Sequence, residues 1–171
     1  YKMISNNPIY YEVKFSYEIP GIEEFDESLV KGVLKDYENK IKEISYDILA
    51  SKVLEELISN KEMDKYVIKI DKGLKKAGLL RLFDNKYLKE FVKILVPYEE
   101  EIKYQNLIKD YKEIGMSFIY KYDSNENVNP TMFVNDMELL VNKEFINNNL
   151  DNQISFDKMN IKLVVKNKEE E

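Results

Sequence analysis

The sequence of 171 residues contains no histidine, no cysteine and no tryptophan. The absence of histidine and cysteine excludes an imidazole general base and a thiolate nucleophile, and it removes the usual ligands of zinc, haem and iron–sulfur clusters. Because no disulfide can form, the hydrophobic core alone must stabilise the fold. Carboxylates, lysines and hydroxyl groups are the side chains left for acid–base or nucleophilic chemistry.

Arginine is almost absent, since Arg81 is the single arginine among 26 basic residues. The chain therefore has at most one guanidinium for a bidentate grip on a carboxylate or phosphate. The excess of lysine over arginine is typical of an AT-rich, bacterial genome. A net charge of −6 argues against broad binding to nucleic acid, which needs a positive surface. No apolar run is long enough to span a bilayer.

The composition is that of a folded domain, with 44% hydrophobic and 34% charged residues. The length suits one domain over residues 1–171, and the charged tail at 166–171 is expected to fray. No internal repeat and no linker is apparent. The chain opens at Tyr1 rather than at Met, which indicates a trimmed fragment such as a secreted protein without its signal peptide.

Three segments alternate between apolar and polar residues, which is the pattern of a strand with one buried face. These segments lie near residues 9–19, 116–122 and 159–166. Helical spacing of apolar residues predicts the elements between them. The predicted helices cover residues 26–60, 62–77, 84–97 and 98–114. A further helix is predicted after Thr131, and a turn at 147–152. Within the second helix, residues 66–70 fit a strand as an alternative.

Long helical blocks between separated strands predict an α+β fold. We expect a small, mostly antiparallel sheet with helices packed on one face. Gly78 and Gly115 are expected to end two of the helices, and Pro97 a third.

Oxygen-bearing side chains alternate in the loop that follows residue 122. Asp123, Asn125 and Asn127 stand at the spacing that opens a calcium-binding loop. Val128 replaces the glycine of an EF-hand and Val134 replaces its bidentate glutamate, so an EF-hand is excluded. An irregular calcium site and an asparagine-rich turn are the two interpretations left.

Four lysines would share one face of the predicted helix at 62–77, namely Lys65, Lys69, Lys72 and Lys76. A basic amphipathic helix can contact phosphate groups or lie on anionic lipid. A solvated lysine face on a soluble helix is the plainer interpretation. The spacing thus predicts that these lysines contact an anion or a lipid.

Glu12 and Lys14 form a Glu-x-Lys pair on the first predicted strand. Metal-dependent nucleases use two such side chains, because residues i and i+2 leave the same face of a strand. The pair lacks an acidic ligand upstream, and a solvent-facing strand surface explains it equally. No catalytic residue and no cofactor is therefore assigned.

These observations favour a non-enzymatic binding or structural domain. We expect the extracytoplasmic part of a bacterial envelope protein, either secreted or anchored as a lipoprotein; residence in the cytoplasm is the alternative. The alternative functions are a metal-dependent hydrolase or nuclease that uses carboxylates and lysine, and a peripheral binder of anionic lipid. The expected partner is another protein or a second copy that pairs with an exposed strand edge, and no nucleic acid is expected.

Overall fold

The computed structural model describes residues 11–13, 44, 46, 48, 65–74 and 91–165. Within these residues six strands form a single sheet. The strands are β1 (Tyr11–Val13), β2 (Tyr66–Lys69), β3 (Val92–Pro97), β4 (Ser117–Lys121), β5 (Glu138–Val141) and β6 (Lys162–Val165). Their order in the sheet is their order in the sequence, and each strand runs parallel to the next.

The prediction of an α+β fold with a mostly antiparallel sheet is wrong, and the fold is α/β. Parallel neighbours require a crossover of a dozen or more residues, because the chain must return to the same edge of the sheet before the next strand. Helices occupy two of the described returns, and the return from β4 to β5 holds only a 3₁₀ turn at Pro130–Met132. Helix α1 (Gln105–Glu113) joins β3 to β4, while α2 (Lys143–Asn148) and α3 (Gln153–Lys158) join β5 to β6.

The strands recur at short intervals along the chain. Residues paired across neighbouring strands lie 26 apart for β2–β3, 24 for β3–β4, 19 for β4–β5 and 24 for β5–β6. The units stack in sequence order, which is the arrangement of repeat proteins in which each unit contacts its neighbours. Strand order alone does not show a repeated unit, so the expectation that the chain has no internal repeat stays a prediction.

The main core lies on one side of the sheet, which we call the helix face. Side chains of alternate strand residues, such as Ile94, Val96 and Leu139, pack there in one buried cluster with residues of the three helices. The helix residues that are buried in this cluster are Ile108 and Tyr111 of α1, Phe145 of α2 and Phe156 of α3. The sheet thus carries its described helices on one face.

Five aromatic rings continue this core beyond the carboxyl ends of the strands. Tyr98 directly follows β3 and Tyr122 directly follows β4, and both pack edge-on against Phe133 at 5.3 and 5.4 Å between ring centroids. Phe145 and Phe156 extend the cluster toward the last repeat. Edge-to-face contacts of this kind add to the stabilisation that burial provides.

The three alternating segments behave as predicted where the structure describes them. The segments at 116–122 and 159–166 are confirmed as β4 and β6. The first segment forms strand at Tyr11–Val13, and its other residues lie outside the described part of the chain. The tail at 166–171 also lies outside it, and the single domain stays a prediction.

Two predicted helices are wrong because their apolar residues belong to strands. Val92–Pro97 is strand β3, and Glu138–Val141 is strand β5. In β3, four of the six residues are buried, on both faces of the sheet. Buried parallel strands show such continuous apolar runs, which periodicity alone does not separate from a buried helix.

The region predicted as one helix from 98 to 114 is divided. A 3₁₀ turn covers Tyr98–Glu100, and α1 begins only at Gln105. Gly115 has a φ of 86° and follows the end of α1, which confirms it as the residue that stops the helix. The predicted turn at 147–152 instead holds the end of α2 and a 3₁₀ turn at Leu150–Asn152.

Three residues of the predicted 26–60 helix are described, and all three are helical. Their burial is the reverse of that expected. Ile44 and Ile48, which belong to the predicted apolar stripe, are 53% and 57% exposed, whereas Tyr46 is buried. The remaining residues of that helix lie outside the described part of the chain, and so does Gly78, which was expected to end the next helix. None of the helices that the structure describes is both long enough and apolar enough to cross a bilayer.

Candidate functional site

The sheet face opposite the helices carries polar side chains at the amino-terminal ends of four consecutive strands. We call this the charged face, and the polar residues at these amino-terminal ends are Lys93 on β3, Ser117 on β4, Glu138 on β5 and Lys162 on β6. Further along the same strands, apolar side chains form a small buried cluster of Val67, Leu95, Ile119 and Val164. The polar residues thus stand at one end of an apolar strip.

An ion pair joins two strands that are not neighbours. The Lys93 ammonium group donates a hydrogen bond to the Glu138 carboxylate, reaching across β4. The two side chains are only 19% and 13% exposed. Glu138 is also the direct register partner of Lys162 on the next strand. One carboxylate therefore stands between two lysines.

These residues line a depression of about 380 Å³ at the amino-terminal edge of the sheet. We call it the amino-edge depression. Besides the polar residues of the charged face, Lys112 from the last turn of α1 contributes to its wall. The loops that enter β5 and β6 supply Asn135, Asp136 and Asn160. Because these elements lie far apart in sequence, the stacking of the strands creates the site.

Two left-handed residues shape the loops of this depression. Asp136 has a φ of 62° and Asn160 a φ of 55°, a region that aspartate and asparagine enter more readily than most residues. The Asn160 amide donates to the Asp136 carboxylate at 2.8 Å, and the Asp136 backbone N–H donates to the Met159 carbonyl at 3.0 Å. These bonds fix the turns that deliver the chain into β5 and β6.

The charges of the amino-edge depression do not cancel. Three lysines and two carboxylates line it, and Lys93 and Glu138 neutralise each other. Within the described residues, neither Lys112 nor Lys162 forms an ion pair. The Lys112 ammonium lies 5.8 Å from the centre of the Phe118 ring. The site is therefore suited to attract an anionic group.

The residues of the predicted calcium loop are held by other contacts. The Asn125 side-chain oxygen accepts a bond from Asn142 at 3.1 Å, and the Asn127 amide donates to Asp151 at 2.9 Å. Asp123 is exposed and approaches Lys121 at 3.8 Å. In the described ranges no three histidine, cysteine or acidic side chains converge as a metal site. The calcium site stays a prediction, which a calcium titration would test.

Asn149 is the centre of these contacts, and the sequence analysis did not single it out. It is 1% exposed, and its side chain is fully engaged. The oxygen accepts from the Val128 N–H at 2.9 Å and from Asn152 at 3.0 Å. The nitrogen donates to the carbonyls of Glu126 at 3.0 Å and Phe145 at 2.8 Å. Asn149 thus ties the loop after β4 to the helical turns after β5.

The lysines proposed for anion or lipid contact do not share a helix. Lys69 is an exposed residue of strand β2, Lys65 precedes that strand, and Lys72 lies in the turn after it. Lys76 lies outside the described residues. The predicted helix is wrong over 65–74, so the basic helical face is not formed there, and contact of these lysines with an anion stays a prediction.

The Glu-x-Lys pair is described in part. Glu12 is an exposed residue of β1 whose register partner is Val67 on β2. Lys14 lies outside the described residues, so the structure does not show the pair as a unit. Among the described residues no group of three histidine, cysteine or acidic side chains forms around Glu12, and the hydrolase alternative stays a prediction.

Two buried tyrosines have altered acidity. Burial, with a smaller contribution from the charge of Asp71, raises the pKa of Tyr111, whose hydroxyl donates to the Leu74 carbonyl. Burial, with a smaller contribution from Glu101, raises the pKa of Tyr120 to about 12. Both rings belong to the core on the helix face, so these shifts indicate packing rather than catalysis.

Function has to be inferred from this geometry, because the comparisons with known proteins supply no relative. No family model matches the chain, no curated protein matches it, and no solved structure matches it.

Proposed function

We propose that the chain is a non-enzymatic binding module that holds a segment of a protein partner in the amino-edge depression. The proposal rests on one observation. Side chains from four consecutive strands converge on one solvent-accessible site. The opposite face of the same sheet is packed against the described helices. The charged face is accordingly the side of the sheet that offers polar groups to a partner.

The stacked arrangement supports this assignment. Each strand of a repeat stack contributes a side chain at the same level, so neighbouring repeats together present an extended surface. Recognition sites combine apolar surface with a few fixed polar groups. The amino-edge depression has both, since Phe118 and Val134 line it beside the lysines. The Lys93–Glu138 ion pair keeps its floor in place.

The carboxylates of the site favour recognition over acid–base catalysis. Glu138 is engaged by Lys93, and Asp136 accepts a hydrogen bond from Asn160. A general base needs a lone pair directed at a substrate proton. In this site the carboxylates instead position neighbouring lysine and asparagine side chains.

Selection of displayed random peptides on the immobilised chain tests the proposal. Ser117 is exposed in the depression, so Ser117→Trp would fill the site with an uncharged side chain. Ser155→Trp is the matched control, because Ser155 is exposed on α3 and does not line the depression. We expect selected peptides to lose roughly tenfold in affinity with S117W, about 1.4 kcal/mol, and to keep it with S155W.

Two results would contradict the proposal. One is a selection that enriches no peptide over an unrelated protein of similar charge. The other is a set of enriched peptides whose affinity is unchanged by S117W, since they would bind elsewhere. Circular dichroism of both variants establishes that each is folded.

Association through a strand edge is part of the same proposal. β1 and β6 are the outer strands of the described sheet. The edge predicted from residues 9–19 includes β1, and an unpaired strand edge can recruit a strand from a partner or from a second copy. Light scattering over a range of concentrations tests self-association, and a constant monomer mass would exclude it.

A further inference from the structure

We propose that the amino-edge depression recognises the carboxylate of an aspartate or glutamate in a peptide partner, with Lys112 and Lys162 as its cationic contacts. The inference rests on the proposed function, because it names the chemistry of the segment that the module binds. It follows from the charge balance, the placement of the two lysines and the apolar groups beside them.

The net charge of the depression matches a ligand group that carries a single negative charge. The Lys93–Glu138 ion pair contributes no net charge. Lys112 and Lys162 then stand against Asp136, which leaves a local charge of one positive unit. A carboxylate carries one negative charge, whereas a phosphorylated side chain carries about −1.5 to −2 at neutral pH. The site therefore favours a carboxylate over a phosphate.

The two lysines are available to a ligand. Lys162 is the register partner of Glu138, and it forms no ion pair within the described residues. Lys112 lies over the Phe118 ring, which orients its side chain without neutralising it. Both residues are exposed, so an incoming carboxylate does not have to displace a buried group.

Uncharged donors complete the recognition of an anion. The Ser117 hydroxyl and the Asn135 amide line the same depression. A carboxylate has two oxygens with about four lone-pair sites, so it can accept bonds from an ammonium group and from neutral donors together. Hydrogen bonds between charged partners are stronger than neutral ones, which makes the lysines the main determinants of affinity.

The apolar part of the lining favours a peptide over a free acid. Val134 is 68% exposed and lines the depression, and Phe118 is partly buried beside it. A side chain next to the acidic residue of a peptide can cover this surface, and a free acid cannot. A volume of about 380 Å³ lies at the small end of ligand sites, so it suits one or two side chains.

A peptide array tests the inference directly. The array holds four sets of random peptides that differ in a fixed pair of residues at the centre. The pairs are leucine–glutamate, leucine–glutamine, leucine–lysine and leucine–phosphoserine. We expect the full chain to bind the leucine–glutamate set most strongly. Lys112→Gln and Lys162→Gln should each weaken that binding roughly tenfold, as loss of a charge-assisted hydrogen bond predicts. Lys109→Gln is the matched control, because Lys109 is exposed on α1 but does not line the depression.

The outcomes separate the inference from the proposed function. Binding that does not distinguish glutamate from glutamine, or that survives both lysine substitutions, overturns the carboxylate site but leaves a binding module. A preference for phosphoserine, or free glutamate that competes as well as the peptides do, also overturns it. If no set binds above an unrelated protein, the module and the carboxylate site both fail. Binding of the glutamate set that falls with K112Q and K162Q, but not with K109Q, supports both.

Discussion

Lys93 on β3 and Glu138 on β5 are ion-paired across β4, the strand that separates them in the sheet. The pair links two repeats that share no backbone ladder. Because both side chains are mostly buried, removal of one partner leaves the other charge poorly solvated. The pair is thus both a structural link and the floor of the amino-edge depression.

Glu138→Gln should therefore lower the free energy of unfolding by roughly 1–3 kcal/mol, because the Lys93 ammonium group loses the charge of its Glu138 partner. Urea denaturation measures the change. Glu144→Gln, an exposed glutamate in the first turn of α2, should have a much smaller effect. The double change of Lys93→Met with Glu138→Leu should recover much of the loss, because no unpaired charge remains. Equal stability of E138Q and the parent chain would show that the pair contributes nothing.

Asn149→Ala should destabilise the fold more severely. The change removes the partner of the buried Phe145 carbonyl and of two part-buried groups, the Val128 N–H and the Glu126 carbonyl. At about 1 kcal/mol or more for each group, we expect a loss of roughly 3 kcal/mol. Asn147→Ala is the control, because Asn147 is exposed on α2, the helix that ends directly before Asn149. Similar midpoints of thermal unfolding for the two variants would contradict the role given to Asn149.

Phe133→Ala should remove the centre of the aromatic cluster. Phe133 is 3% exposed and contacts the rings of Tyr98, Tyr122 and Phe156. Truncation of a buried phenylalanine costs roughly 3–5 kcal/mol, from lost burial and the cavity left behind. Met132→Ala, at the adjacent and 43% exposed position, should cost far less. Calorimetric unfolding of both variants checks the difference, and a small loss for F133A would mean that the cluster is dispensable.

Stability should fall as the pH rises above about 10. Tyr111 and Tyr120 have raised pKa values in the folded chain, that of Tyr120 about 12, against 10 for an exposed tyrosine. Between these values the unfolded chain loses protons that the folded chain retains, so rising pH favours unfolding. Urea midpoints measured from pH 9 to pH 12 report the effect.

The control for this pH dependence is Tyr120→Phe. Because phenylalanine does not ionise, the variant should lose less stability between pH 10 and pH 12 than the parent chain. The same slope in both proteins would assign the alkaline loss to other groups, such as the lysines.

The strands that keep polar residues on the charged face were predictable, and β3 and β5 were not. In β4 that face holds Ser117 and Lys121 beside the buried Ile119, and in β6 it holds Lys162 beside the buried Val164. β3 holds the run Val92–Pro97, whose apolar residues serve both faces and imitate a helical stripe. Repeats of unequal length, 19 to 26 residues by register, also conceal the periodicity that would have indicated a parallel stack.

The candidate site was beyond prediction for a related reason. Lys93, Glu138 and Lys162 are separated by many residues, and only the parallel register brings them to one edge of the sheet. When β3 and β5 are predicted as helices, no pattern in the sequence indicates that Lys93, Glu138 and Lys162 lie close together. The polar loop around Asn125 was recognised as unusual, but its main contacts are with residues of the following repeat, such as Asn148.

The sequential order of the strands has a consequence for how the chain acquires its structure. Most strand pairs join residues separated by 19 to 26 positions, so a forming unit needs only the unit before it as a template. Pairing over 19 to 26 residues loses less loop entropy than pairing over a longer separation, so these strands are expected to pair before more distant ones do. The exception is β1, whose partner lies 55 residues away, as the pairing of Tyr11 with Tyr66 shows. We therefore expect growth of the sheet from its carboxyl-terminal part, with the docking of β1 as the slow final event.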